Sequence, residues 1–153
     1  MRQGSARGER GQAMVELALM LPIMTFLLLG GADMSRAFAT QLAVQNAARS
    51  GAEATALDTT PTSAEATSHV QDELGRTPSV TAASATITVT FTQANGSSTC
   101  TGAADTSVAG ISIIATPCYA KVRVLYTWST LIPWPLMQRS FTYDRTTMVQ
   151  RYA

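Results

Sequence analysis

An apolar run near the N-terminus constrains the fold of this chain more than any other feature. Between Arg10 and Asp33 the only ionisable residue is Glu16. The 22 positions between those two residues would extend about 33 Å as an α-helix, which is enough to cross the hydrocarbon core of a membrane. We therefore predict a membrane-spanning helix over residues 12–33.

The charges that flank this run predict its orientation. Arg2, Arg7 and Arg10 precede it and are opposed only by Glu9, whereas the first charged residues beyond it are one acid and one base. Basic residues flanking a membrane span favour the cytoplasmic side. We therefore expect a single-pass protein of the cell (inner) membrane, with a cytoplasmic N-terminus and an extracytoplasmic C-terminal domain.

Three interpretations of the N-terminus compete. A secretory signal has a shorter apolar core followed by a cleavage site of small residues, and this run is too long and lacks a convincing site after it. An uncleaved signal anchor and a prepilin-type leader cut after Gly11 both fit the composition. The spacing of Gly11 and Glu16 favours the leader. An acidic residue just inside an apolar membrane helix costs free energy and therefore calls for a functional explanation.

Composition and motifs argue against several other functions. A net charge of +1 provides no electrostatic field for nucleic acid. The sequence contains no glycine-rich phosphate loop, zinc-protease motif or nucleophile elbow, and the single histidine, His69, is interpreted as a surface bystander. We predict that the protein is not an enzyme and has no metal site and no cofactor.

The segment from Gly11 to Pro22 resembles the start of TadE-like proteins, which are minor pilins or pseudopilins of tight-adherence (Tad, Flp-type) pilus systems. The resemblance continues through residues 30–37 and 45–52. The remaining hundred or so residues resemble the family only in general plan. A domain of that size argues, by family analogy, against the bulk shaft subunit.

The resemblance implies that a prepilin peptidase cuts between Gly11 and Gln12. It also implies that Glu16 pairs with the new α-ammonium group of Gln12 on an adjacent subunit. The alternative for Glu16 is that its carboxylate reaches the membrane surface of an uncut anchor.

The implied function is assembly or priming of a Tad-type pilus. The implied partners are the peptidase, other pilins or pseudopilins, the inner-membrane Tad assembly platform and membrane lipid, with no nucleic acid. The assembled protein would then lie in a surface pilus. An unprocessed, membrane-anchored binding protein is the alternative function.

The helix is expected to continue beyond the membrane, from about Gln12 to Ala56. Pro22 should kink it, although a proline is also ordinary in a membrane helix. Residues 34–57 would form its extramembrane part, in which Phe38, Leu42 and Ala52 fall at helical intervals. Residues 58–61, which end in a proline, should terminate the helix. Residues 1–11 are the predicted leader and residues 58–153 the extracytoplasmic domain.

The predicted extracytoplasmic domain is α+β. Thr62 and Glu65 form a capping box before a short helix that ends near Gly75. Alternating apolar residues then predict an antiparallel sheet. Its expected strands cover residues 85–92, 108–116 (interrupted by Gly110), 119–128 and 141–150.

Two further features of this domain remain open at the sequence level. Cys100 and Cys118 predict a disulfide in an exported domain, worth about 3 kcal/mol, with two buried free thiols as the alternative. The apolar loop Leu131–Leu136, in which Trp134 lies between two prolines, is either a partner surface or a lid over the domain's own core.

Overall fold

A computed structural model of the chain describes residues 6–57, 62–96, 100, 106–108, 111–113, 117–135 and 138–151. The chain divides into two compact units, Met1–Arg36 and Ala37–Ala153. The predicted α+β class is confirmed. The helices and strands are α1 (Ala6–Ala56), α2 (Ser63–Gly75), β1 (Thr86–Gln93), β2 (Thr106–Val108), β3 (Ile111–Ile113), β4 (Cys118–Ser129) and β5 (Ser140–Gln150).

Helix α1 is continuous over 51 residues and ends at Ala56, as the sequence predicts. It begins at Ala6 rather than at Gln12, so the end of the predicted leader is helical in the intact chain. The segment before Gln12 contains Ala, Arg and Glu, which favour helix. The predicted helix terminator at residues 58–61 lies outside the described residues.

Helix α2 forms as its sequence predicts. The Thr62 side chain accepts a hydrogen bond from the backbone of Glu65, and the Glu65 side chain accepts one from the backbone of Thr62. This reciprocal capping box satisfies donors that the first helical turn leaves free. The residues Ala66, Val70 and Leu74 are buried along one face, which is the face expected from their spacing.

The main sheet is antiparallel and has the strand order β1–β4–β5. Its register pairs Ile87 with Val124 on β4, and Tyr126 with Tyr143 on β5. The alternation of β4 is strict, since every second residue from Cys118 to Trp128 is buried. One face of the sheet therefore supplies the core and the other carries mostly threonine and charged side chains.

The prediction of one strand over residues 108–116 was wrong. The structure has two short antiparallel strands, β2 and β3, in which Val108 pairs with Ile111. Gly110, where the predicted strand was expected to be interrupted, lies outside the described residues.

The core of the second unit lies between the C-terminal part of α1, helix α2 and the inner face of the sheet. Helix α1 contributes small residues to it, whereas Phe38 and Leu42 are exposed at 63% and 43%. Small side chains allow the helix to approach its neighbours closely. The buried residues of this core are Ala43, Val44, Ala47, Ala48, Ala52, Val70, Leu74, Val122, Val124, Tyr126 and Trp128.

Candidate processing and docking site on helix α1

Gly11 and Gln12 lie inside α1 and are exposed. A Cβ atom added to Gly11 would meet no atom within 4 Å. Glycine within a helix is less favourable than alanine by about 1 kcal/mol. Packing within this chain therefore does not explain the glycine at position 11. A partner that approaches the backbone closely at this position would explain it.

Glu16 lies four residues after Gln12, so the two side chains are neighbours on the same face of α1. Glu16 is exposed, and among the side chains that the structure describes it has no salt-bridge partner. A carboxylate in this position is available to a cation from another molecule. The predicted partner, an α-ammonium group, is such a cation.

The surface around Glu16 is apolar on every side of the helix. Helix α1 is long and apolar enough to cross a membrane, and none of the corresponding window is buried within the chain. A helix that is apolar all round requires lipid or other helices as its surroundings. Among the described residues of this unit, the large apolar side chains that are exposed are Met14, Val15, Leu17, Leu19, Met20, Leu21, Ile23, Met24, Phe26, Leu27, Leu28, Leu29 and Met34.

Pro22 lies within the helical part of the first unit. Its ring nitrogen cannot donate the usual backbone hydrogen bond to the preceding turn. Close to it, the Thr25 Oγ1 hydroxyl donates to the Leu21 carbonyl oxygen over 2.8 Å, a contact that often bends helices. The kink at Pro22 remains a prediction.

The cysteines of the second unit form a disulfide. Cys100 and Cys118 are bonded, with their Cα atoms 6.0 Å apart. The Cys100 backbone N–H also donates to the Phe91 carbonyl oxygen over 3.2 Å. The bond therefore attaches the segment after the Asn95–Gly96 turn to the first residue of β4.

His69 is half-buried rather than fully at the surface. Its Nε2 atom lies 3.0 Å from the Ser50 hydroxyl oxygen of α1, so the side chain links the two helices. Sequence reasoning missed Ser50 because the contact depends on how the helices pack. Within the described ranges, no group of three or more His, Cys, Asp or Glu residues could hold a metal ion.

The helix that carries this site matches a known protein family. Residues 11–53 match the model of the TadE-like protein family. The match begins at Gly11 and ends three residues before the end of α1, so the resemblance seen in the sequence is confirmed over this helix. The match covers less than a third of the chain.

The match leaves the rest of the chain uncharacterised by comparison. No curated protein and no solved structure matches it. The TadE-like family is generally non-enzymatic. Within the described part of the chain, α1 is the one helix that is long and apolar enough to be compatible with a membrane anchor.

Proposed function

We propose that this protein is a minor pilin or pseudopilin that takes part in assembly or priming of a Tad-type pilus. A prepilin peptidase cuts it after Gly11 at the cytoplasmic face of the membrane, and its second unit lies on the outer side. The observation that carries the proposal is the family match, which begins at Gly11 itself.

The environment of Gly11 supports cleavage at this position. A residue without a side chain allows a catalytic carboxylate pair to approach the backbone closely. The open space around Gly11 means that a larger residue would fit the fold of this chain. A larger residue at position 11 should therefore hinder cleavage by the peptidase without lowering the stability of the protein.

The exposed carboxylate of Glu16 supports a role in subunit docking. A charged group in an apolar environment is stabilised by an opposite charge. Cleavage creates one at Gln12, because the new N-terminus is an ammonium group. When subunits lie side by side, Glu16 of one accepts hydrogen bonds from Gln12 of the next.

Cleavage is tested by mass spectrometry of the protein extracted from membranes of cells that contain an active prepilin peptidase. The proposal expects a mature chain that begins at Gln12, and a Gly11→Val variant that keeps residues 1–11. Gly31→Val is the matched control, because Gly31 is also an exposed helical glycine with open space around it. Retention of the leader by the unmutated protein would reject the proposal in favour of an unprocessed membrane anchor.

Docking is tested with two variants of Glu16. Glu16→Gln removes the charge with little change of shape, whereas Glu16→Asp keeps it. We expect both to be cut normally, Glu16→Gln to be lost from co-purified pilin complexes, and Glu16→Asp to be retained at least in part. Normal assembly of Glu16→Gln would remove the docking role and leave the cleavage proposal intact.

A further inference from the structure

Strand β5 forms one edge of the main sheet. In the described part of the chain it pairs with β4 alone, because the strand order is β1–β4–β5 and the strands β2 and β3 form a separate sheet. The pairing with β4 runs from Ser140 to Gln150 without a break in register. A long edge strand offers a row of backbone donors and acceptors to another strand.

Two hydrogen bonds at the ends of the β4–β5 pair show which residues of β5 face the open edge. The Thr130 backbone N–H donates to the Arg139 carbonyl oxygen over 2.9 Å, and the Arg151 backbone N–H donates to the Cys118 carbonyl oxygen over 2.8 Å. Successive residues of an antiparallel strand alternate between bonding to the partner strand and pointing away from it. The odd-numbered residues of β5 therefore bond to β4, and the even-numbered ones direct their backbone groups to the open edge. These edge residues are Ser140, Thr142, Asp144, Thr146, Met148 and Gln150.

A contact of Arg145 agrees with this assignment. Its Nη1 atom donates to the Asp144 carbonyl oxygen over 3.2 Å, which fits an oxygen that points to the open edge rather than to β4. A carbonyl oxygen has two lone pairs. The Asp144 carbonyl can therefore still accept a hydrogen bond from another strand.

The opposite edge of the sheet, on β1, is partly covered by the chain itself. The Cys100 backbone N–H donates to the Phe91 carbonyl oxygen over 3.2 Å, and the Gly96 backbone N–H donates to the Gln93 carbonyl oxygen over 2.8 Å. The disulfide to Cys118 holds Cys100 in this position. The chain thus occupies part of one edge with its own backbone.

Strand β5 lacks the common means of protecting an edge. It is 11 residues long and contains neither proline nor lysine, which natural proteins often place on exposed edge strands. The side chains of Thr142, Asp144 and Thr146 are exposed. A long, regular and exposed edge of this kind favours pairing with a strand of another molecule.

The charges of β5 select how a second copy of the strand would pair with it. Two copies related by a two-fold axis run antiparallel. Full overlap would place Arg145 opposite Arg145 of the second copy, and a neighbouring register would place Asp144 opposite Asp144. Like charges directly opposite each other destabilise a sheet.

The register centred on Thr146 avoids both repulsions. Residues 142–150 of the two copies then overlap over about 30 Å of strand, and each charged residue lies opposite an uncharged one. Tyr143 of one copy lies opposite Val149 of the other, and pairs of an aromatic and a β-branched residue stabilise sheets. The strand is therefore complementary to itself.

We propose that β5 is a dimerisation edge, which pairs antiparallel with β5 of a second copy of this chain so that Thr146 lies opposite Thr146. The two three-stranded sheets then form one continuous sheet, and the backbone groups of the edge residues bond to each other. The pairing uses only the second unit and does not depend on cleavage after Gly11.

Cross-linking of single-cysteine variants tests this pairing in the full chain, purified in detergent micelles. Cys100 and Cys118 are bonded to each other, so an introduced cysteine is the one free thiol. Thr146→Cys should give a disulfide-linked dimer on mild oxidation, because the Cα atoms of a directly opposed pair lie about 5.5 Å apart. Thr142→Cys is the matched control, since Thr142 is also exposed but would lie about 27 Å along the strand from its equivalent.

A mixture of two variants tests the register. Thr142→Cys and Gln150→Cys, with a size tag on one of them, should cross-link to each other and not to themselves. Adding Thr146→Pro to both should lower the yield about tenfold, because proline removes the edge N–H at that position. Thr146→Val keeps this N–H and should leave the yield unchanged. The tryptophan fluorescence of each variant reports whether the second unit is folded.

Three results would overturn the proposed pairing. The first is a folded Thr146→Cys protein that forms no dimer, and the second is a Thr142→Cys dimer of equal yield, which would indicate random collision. The third is preferential cross-linking of Thr146→Cys to a different protein in cells, which would assign the edge to another partner. Each result leaves the cleavage after Gly11 and the docking role of Glu16 untouched, because these are read from other measurements.

Discussion

Gly51 of α1 lies directly against Val70 of α2, and a methyl group at position 51 would overlap the Val70 Cγ2 atom. Both residues are buried, and Val122 of β4 approaches the same point. Here two helices and the sheet meet with no space for a side chain on α1. The glycine therefore sets how closely the long helix docks on the domain.

Gly51→Ala should destabilise the second unit by about 1–3 kcal/mol, because the added methyl forces neighbouring side chains away from their positions. The measurement is chemical unfolding of the full chain in detergent micelles, followed by tryptophan fluorescence. Gly75→Ala is the control, since that exposed helical residue has open space around it. If Gly51→Ala is as stable as Gly75→Ala, the elements packed around position 51 can move apart enough to accommodate the methyl group.

The capping box of α2 gives a second prediction. Thr62→Ala removes the side-chain oxygen that accepts from the Glu65 backbone and should cost about 1 kcal/mol. Thr67→Ala is the matched control within the same helix, because its hydroxyl donates to the Ser63 carbonyl oxygen one turn back and takes no part in the capping box. Unfolding curves of the two variants should differ, with the Thr62 variant less stable.

Local signals in the sequence account for much of this fold. The capping box and the spacing of Ala66, Val70 and Leu74 predict α2 correctly, and strict alternation predicts β4. In each case the information lies within one turn or a few residues. The limits of these elements differ from the expected ones by one residue or so, which is ordinary for element ends.

The packing between distant segments could not be predicted from the sequence. The periodicity of α1 beyond the membrane indicates a helix, but does not show that its alanine-rich face is the buried one and that Phe38 and Leu42 are exposed. The contact of His69 with Ser50 depends on the same docking. The processing role of Gly11 and the docking role of Glu16 stay predictions from their spacing in apolar surroundings. Only the structure separates Gly11, which has open space, from Gly51, which has none.

Reduction of the Cys100–Cys118 bond should lower the free energy of unfolding by about 3 kcal/mol, because the bond restricts a loop of the unfolded chain. The two cysteines are separated by 18 positions in the sequence. Unfolding with and without reductant measures the difference. The double variant Cys100→Ala/Cys118→Ala should match the reduced protein and show no response to reductant, and a response there would assign the effect to something other than the disulfide.

The outer face of the sheet gives a prediction about pH. Arg123 Nε and Nη2 donate to the two carboxylate oxygens of Asp144 over 3.0 and 2.6 Å. These hydrogen bonds are the main reason that the pKa of Asp144 is lower than its ordinary value. Both side chains are about half exposed, so the contribution of the pair to stability should be small.

The sign of the effect follows from the lowered pKa. A carboxyl group whose pKa is lower in the folded state stabilises the fold above its unfolded pKa of about 3.9, and that contribution is lost as the pH falls through the folded pKa. The stability difference between the unmutated protein and Asp144→Asn should therefore be constant near neutral pH and shrink on acidification. Asp72→Asn is the control, because Asp72 is exposed and makes no salt bridge with any side chain that the structure describes. A difference that grows as the pH falls would contradict the stabilising role of the pair.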